Sequence, residues 1–598
     1  MERPTLRTRF CGLIALFQLI AAPIPAGDAQ TRPAPGRVDP DSVVIAGRVI
    51  DAASGRPING AVVTLTPQDR RVFYSPGRRP FRVSVLTRPD GRFTFRHVMP
   101  GAHPLSASKP GYIAGAYGQR RPGGSSRPVK VEQAEQVDVT ITLWRFAAIT
   151  GTILDEAGEP VVGQEVRALQ RTFAGGRSHL RLADAGWTDD RGVYRIGALS
   201  PGAYFVFPAV TQHAAPASLK EADQAPTGTA IVRIGSALHI IDVDSPVPPL
   251  LPGSDRLLIY PMQFYPGVPT AAQATPIVVG SGEERANVDF QFLPIPAARV
   301  SGRVLEAVPG SYVTLRLFQA GAIETRDAVV AEALSDATGA FAFPAVPPGD
   351  YLLKALSSSA EDNRWAVLGF AVGQRDVTGL DFVLRAGLRI TGRAEFDGGP
   401  LSIFRDMHVV VEPEDGGTLD VLPQPITAPG RFAVDRVPGG TYVLRVANIP
   451  TGWMVSSITY EGRDVTDAPL ALASDTNDVV ITLTNRLTEV HGTARSAGGA
   501  PDPDALVVVF SADRNAWTEA GRVPPRVRAV RADEAGAYQV VGLPAGDYYI
   551  VSIPAGEMDE NAPSMFAALA GSAEVVTLDE GVKKEIMLRT RTASKPSR

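Results

Sequence analysis

Cysteine is almost absent from this chain: 598 residues contain one, Cys11. That excludes a disulfide framework, a zinc site built on paired cysteines, and a cysteine nucleophile in the body of the chain. Lysine is nearly as scarce. Only seven of the 59 basic residues are lysine, and the 63 acidic residues outnumber the bases. With no continuous basic stripe, a nucleic-acid partner is not expected. The seven histidines are scattered, and none forms His-Glu-x-x-His or His-x-x-Glu, so a zinc peptidase centre has no ligand set. There is no Gly-x-Ser-x-Gly elbow and no phosphate-cradling loop. Past the N-terminal segment no apolar run reaches the ~18 residues of a spanning helix. The expectation is a protein without catalytic residues, metal or cofactor.

What is present begins with an export signal. Arg3, Arg7 and Arg9 precede an apolar stretch from Gly12 to Ala22, followed by a small-residue site ending at Ala29. Residues 1–29 therefore read as a signal peptide and 30–43 as a linker, which places the mature chain in the periplasm, on the outer-membrane surface or outside the cell. Cleavage removes Cys11, so the mature protein needs no disulfide in an oxidising compartment. Glycine (58) and proline (51) are abundant without a collagen period, which fits many short strands joined by turns.

The main signal is a repeat. Five glycine pairs, each ten residues apart, recur: Gly91/Gly101, Gly192/Gly202, Gly339/Gly349, Gly430/Gly440 and Gly536/Gly546. Two residues after each first glycine stands Phe93, Tyr194, Phe341, Phe432 or Tyr538. Two after each second stands Tyr204, Tyr351, Tyr442 or Tyr548, with His103 the exception. The period-two alternation predicts two strands joined as a hairpin, aromatics inward, with the second glycine supplying positive φ. Upstream, each unit opens on an aliphatic strand centred on Gly47, Gly151, Gly302, Gly392 or Gly492, at spacings of 104, 151, 90 and 100 residues. The fold class is all-β, a tandem array of about five β-sandwich modules. They cover 44–145, 146–296 (with an insertion over about 211–270), 297–386, 387–486 and 487–591, and 592–598 form a disordered tail. A short helix is expected from Ala562 to Gly571.

The runs GRVIDAASGRPINGAVVTL (Gly47 to Leu65) and DGRFTFRHVMPGAHPL (Asp90 to Leu105) resemble the carboxypeptidase regulatory-like domain. So do DDRGVYRIGALSPGAYFV and DEAGAYQVVGLPAGDYYI further along. The resemblance implies a transthyretin-like or prealbumin-like sandwich, also grouped with carbohydrate-binding-like folds. It looks most like large exported bacterial proteins built from several such modules. In metallocarboxypeptidases the domain is an appendage to a catalytic one, and no such catalytic domain is visible here.

The repeat's glycines and aromatics serve the fold, so candidate function falls to long loops. One is Gly111 to Arg127, with Tyr112, Tyr117, Gln119 and Arg120; the other is the insertion, with Tyr260, Phe264 and Tyr265. These are the candidate contacts for a protein or polysaccharide partner at the cell surface. Trp187, Trp453 and Trp517, with Tyr117 and Tyr265, offer planar faces for sugar rings, or pack at module seams. Asp189, Asp336 and Asp533, each three residues before a first glycine, are read as turn caps rather than calcium ligands. The opening strands contain no lysine, so Lys–Asn isopeptide cross-links are not expected. Three roles stay open: a structural or interaction array, expected to be elongated; carbohydrate binding; and an accessory to a separate peptidase or secretion machine.

Overall fold

The computed structural model describes residues 43–591 apart from 67–82, 133–134, 175–176, 215–228, 235–236, 243–257, 307–311, 321–328, 358–363, 399–405, 415–420, 519–525 and 556–562. The residues read from the sequence as signal peptide and C-terminal tail, and the linker up to residue 42, lie outside the described residues. Among the described residues no helix is long and apolar enough to cross a membrane.

The chain is a tandem array of five β-sandwiches. In each, the opening strand (Val43–Asp51, Ala147–Leu154, Ala298–Leu305, Leu388–Asp397 and Glu489–Arg495) lies between two partners. On one side runs an antiparallel strand that follows the first repeat glycine; on the other runs the closing segment of the unit, in parallel. A second, antiparallel sheet packs against this one and encloses the core. Ile45, Val49, Phe93, Phe95 and Ile141 fill the first core, and Val490, Tyr538, Tyr548 and Ile550 part of the fifth.

The two strands of the repeat do not form a hairpin. Arg92–Val98 pairs with the opening strand, whereas Leu105–Ser108 pairs with Val62–Leu65 in the other sheet. The same division holds in the other four units. The motif is an arch that carries the chain from one sheet to the other. Every connection contains a proline (Pro100, Pro201, Pro347, Pro438, Pro544), which lacks the N–H that a hairpin ladder would use.

The arch is fastened by the residue two places after the second glycine. The hydroxyl of Tyr204 donates to Ser200 O at 2.5 Å, Tyr351 to Pro347 O at 2.8 Å, Tyr442 to Pro438 O at 2.8 Å and Tyr548 to Pro544 O at 2.7 Å. His103, the exception in sequence, makes the same bond: its Nε2 lies 2.7 Å from Met99 O, and because a carbonyl can only accept, Nε2 carries the proton. We expect His103→Tyr to leave the first sandwich as stable as it is. His103→Phe should cost about 1 kcal/mol, the worth of one such hydrogen bond. Chemical denaturation of both variants checks this, and equal losses would sink the shared-bond account.

Positive φ belongs to the first glycine. It is 73° at Gly91, 70° at Gly192, 81° at Gly339, 102° at Gly430 and 73° at Gly536. Of the second glycines only Gly101 (142°) and Gly546 (150°) are positive. Gly202, Gly349 and Gly440, expected from the sequence to supply positive φ, do not adopt it. Each is the first residue of a strand (Gly202–Pro208, Gly349–Ser357, Gly440–Ala447), as Gly101 and Gly546 are of theirs; the arch enters the second sheet with no tight turn to close, so positive φ is not required at this position. Room is tight at two of these positions, Gly440 and Gly202, and ordinary at Gly349. A Cβ at Gly440 would stand 3.3 Å from the Tyr442 hydroxyl oxygen, one at Gly349 3.5 Å from Tyr351 Cε2, and one at Gly202 3.0 Å from Gln170 Nε2.

The first glycine closes the Asp-capped turn. Asp189 Oδ1 accepts from the N–H groups of Arg191 (3.0 Å) and Val193 (2.9 Å), and Asp336 and Asp533 repeat the pattern. These carboxylates are spent on backbone donors, and among the described residues no cluster is suited to holding a metal ion.

The insertion differs from a functional loop. Its strand Gln212–Ala214 pairs in parallel with Val329–Leu334 of the third sandwich, and Ala237–Asp242 and Thr229–Ile234 continue outward. The third sandwich thereby gains three strands from the second, making one eight-stranded sheet. At the other end, the helix Pro563–Ala570 covers the outer face of the fifth sandwich. Phe566 and Leu569 bury Phe510 from outside, which explains why Ala505–Ser511 is buried on both faces.

The array is also not an open string. The first sandwich touches the fifth, through side chains up to 417 residues apart in sequence, so the chain closes on itself.

Candidate interaction site

The closure is made by the loop that the sequence singles out, but not by all of its residues. Tyr112 sits at its base: its hydroxyl donates to Asp51 Oδ2 at 3.1 Å, and Arg145 lies over its ring at 5.4 Å. Burial works against ionisation of Asp51, yet hydrogen bonds from Arg145, Ser54 and Tyr112 hold its carboxyl well below the usual carboxylate range. Gln119 staples the loop to itself, accepting from Ala116 N at 2.8 Å and donating to Gly124 O at 2.7 Å. Tyr117 and Arg120 are then presented outward.

Both meet the fifth sandwich. Tyr117 donates to Glu534 Oε1 at 2.7 Å, and Arg127 lies over the Tyr117 ring at 5.0 Å, also donating to Pro503 O at 3.3 Å. Arg120 donates through Nε to Asp504 Oδ1 at 3.1 Å, with its Nη2 on the same oxygen. Lys130, on the edge strand Val129–Val131, reaches Asp533 Oδ2 at 2.6 Å. From the fifth sandwich Arg531, its side chain 1% exposed, also donates to Asp504 Oδ1 at 3.3 Å and to Pro503 O at 3.2 Å. A basic surface on the first sandwich thus faces Asp504, Asp533 and Glu534 on the fifth.

The ion pairs are mostly exposed: Arg120 and Asp504 are 57% and 50% open. Such pairs contribute roughly 0–1 kcal/mol each and are screened by salt. Arg531 opposes closure: it is buried, which pulls its pKa down, and the like charges of Arg127 and Arg120 brought across the seam pull it down further. The seam is polar and weak.

Its pH dependence follows from three groups. Burial opposes ionisation of Asp504, but Arg120 holds its carboxyl below the usual value; Asp533 is likewise lowered against burial by Lys130 and by backbone N–H groups. Only the Lys130 part of the Asp533 shift belongs to the seam, since the caps persist when it opens. A depressed carboxyl stabilises above its ordinary pKa of about 3.9 and loses that contribution as pH falls through the depressed value. Tyr117 is raised, first by burial and then by its bond to Glu534, so its contribution is present below about pH 10 and is lost as pH rises through the raised value. Small-angle scattering should show the closed form from about pH 5 to 9 and expansion beyond both ends. A profile flat down to about pH 3 would remove the carboxylates from this role.

The other sequence candidates lie elsewhere. Tyr260 (4% exposed) and Phe264 (1%) are core residues of the second sandwich, and Tyr265 packs edge-on against Phe290. They are not brought near Tyr117. The segment after Leu258 reads in sequence as insertion, yet it covers the second sandwich's own sheet, where Phe264 stacks on Phe207 at 5.0 Å. Trp517 is buried under the helix Pro563–Ala570 with its Nε1 donating to Ser511 O, and Trp453 packs edge-on against Phe396. Trp187 alone of these three is broadly exposed, at 64%. Sequence reasoning missed Arg127, Lys130, Asp504, Glu534 and Arg531. No local pattern marks them, because each gains its meaning from a partner in another sandwich.

No curated protein matches the sequence. Among solved structures, 3-chlorocatechol 1,2-dioxygenase of Rhodococcus opacus is similar over 18% of this chain and 60% of its own, at 16% identity and a TM-score of 0.14. The chain therefore spans less than two thirds of that enzyme. The Bacillus anthracis TIE protein aligns over 94% of this chain and 76% of its own, at 10% identity and a TM-score of 0.14. A minor pilin of Streptococcus agalactiae aligns over 43% of this chain and 98% of its own, at 14% identity and a TM-score of 0.19. Likenesses at these scores carry no functional inference. The first sandwich is the part with a family assignment: residues 44–143 match the carboxypeptidase regulatory-like domain.

Proposed function

We propose that the chain is an exported, non-catalytic array that works through protein–protein contact in a structural, adhesive or interaction role at the cell envelope. One observation carries this reading. The exposed aromatic and charged residues of the Gly111–Arg127 loop engage a complementary protein surface, with Tyr117 on Glu534 and Arg120 on Asp504. The repeat's own tyrosines and aspartates are occupied by arches and caps, as described above. The test uses the full mature chain, closed and with the seam opened by charge reversal, as bait on cell-envelope fractions. A defined protein retained through a physiological-salt wash is expected. Absence of any retained protein with both baits, together with no self-association, would count against the reading. The same experiment covers the accessory role, in which the retained protein is a peptidase or a secretion component.

A second reading, polysaccharide binding, is favoured by Trp187, which is 64% exposed at the end of the strand Arg177–Trp187. Planar aromatic faces suit sugar rings. A glycan array at high protein concentration should then give hits that Trp187→Ala removes. An array with no hit, or hits indifferent to that change, would eliminate it.

A further inference from the structure

We propose that the seam between the first and fifth sandwiches is exchangeable between copies, the first sandwich of one chain docking on the fifth of another. This rests on the protein-interaction reading above and names a second copy of the chain as the partner.

Four observations carry it. The two surfaces are different and lie on the first and last units, so the contact is heterologous; such contacts close within a chain or link chains head to tail. Each hydrophobic cluster, among the described residues, stays on one side of the seam, so opening it disrupts no core. The ion pairs each have at least one largely exposed partner and are individually weak, and closure sets Arg127 and Arg120 against the buried Arg531 of like charge. Finally, the basic and acidic sides are complementary at several points at once, Arg120 with Asp504 and Lys130 with Asp533, which sets one register of docking. Within one chain the seam is held by an effective concentration of order 1 mM. Copies crowded at a surface approach that concentration, and exchange then competes with self-closure.

Two charge-reversed chains test this. Asp504→Arg/Asp533→Arg leaves the first sandwich basic and makes the fifth basic; Arg120→Glu/Lys130→Glu leaves the fifth acidic and makes the first acidic. Each alone repels itself across the seam and should be an open monomer with an unchanged circular-dichroism spectrum; Arg120→Glu/Lys130→Glu should keep its melting profile, whereas Asp504→Arg/Asp533→Arg, which also removes the Asp533 turn cap and the carboxylate beside Arg531, should melt lower in the fifth sandwich alone. Mixed in equal amounts at tens of micromolar, each acidic surface finds a basic one on the other chain. Light scattering should then report about twice the monomer mass, falling back toward one at 0.5 M salt. If both chains are open by small-angle scattering and the mixture stays monomeric, exchange is overturned while the interaction reading stands. If neither chain opens, the charged seam is not what closes the array, and the proposal falls with it.

Discussion

Replacing Gly492 by alanine is expected to lower the melting transition of the fifth sandwich by about 15 °C, the effect of roughly 3 kcal/mol of overpacking in a unit of about 100 residues. The cause is steric. An added Cβ would stand 1.8 Å from the carbonyl oxygen of Ile586 in the parallel closing segment. That oxygen already accepts from the Tyr538 hydroxyl at 2.8 Å, and Tyr538 is the cross-strand partner of Gly492. Relief requires the closing segment to move away, which breaks the ladder joining Val490 to Lys584 and His491 to Glu585. The equivalent glycines meet the same obstacle: the oxygens of Val139, Val288, Leu380 and Val479 lie 1.9–2.3 Å from the added atom at Gly47, Gly151, Gly302 and Gly392. Differential scanning calorimetry should show one transition displaced and the others in place. A shift below about 2 °C would mean that the sheet adapts at little cost.

The second large effect is on shape. Asp504→Arg/Asp533→Arg puts like charges across the seam in place of Arg120–Asp504 and Lys130–Asp533. Because no shared core resists, the first and fifth sandwiches should part, and the maximum dimension in small-angle scattering should grow by about 30 Å. That is one sandwich length, a nine-residue strand such as Val43–Asp51 at about 3.3 Å per residue. Wild-type chain in 1 M salt should move the same way, since screening at that strength acts within about 3 Å. Identical scattering from variant and wild type would show that the closure is held by something other than these charges.

Much of this fold is legible in the sequence because its requirements are local. A positive φ at Gly192 or Gly536, an Asp three residues earlier to cap the turn, and alternating aromatics each leave a mark at fixed spacing. The arch is less legible. Glycine and an alternating pair on either side read as a hairpin, and only the recurring proline between them argues otherwise. The same ambiguity covers Gly440, since a glycine kept for the space beside a folded-back tyrosine looks in sequence like one kept for a turn. His103 looks like an exception because spacing records residue type, whereas the fold selects a hydrogen-bond donor that reaches back four residues. The insertion misleads for a related reason. Phe264 and Tyr260 lie in a stretch of low regularity, yet their rings complete the second core.

The sequence by itself determined the five sandwiches, the positions of the repeat's aromatics and the opening glycines, since each depends on neighbours within a few residues or on one repeating partner strand. Only the tertiary structure decided which loop residues meet a partner. Tyr117 and Glu534 stand 417 residues apart, and contacts at that separation impose no spacing on the chain. Tertiary structure likewise decided that the array closes rather than extends, because closure depends on how successive sandwiches are set against one another, and no local pattern encodes that angle.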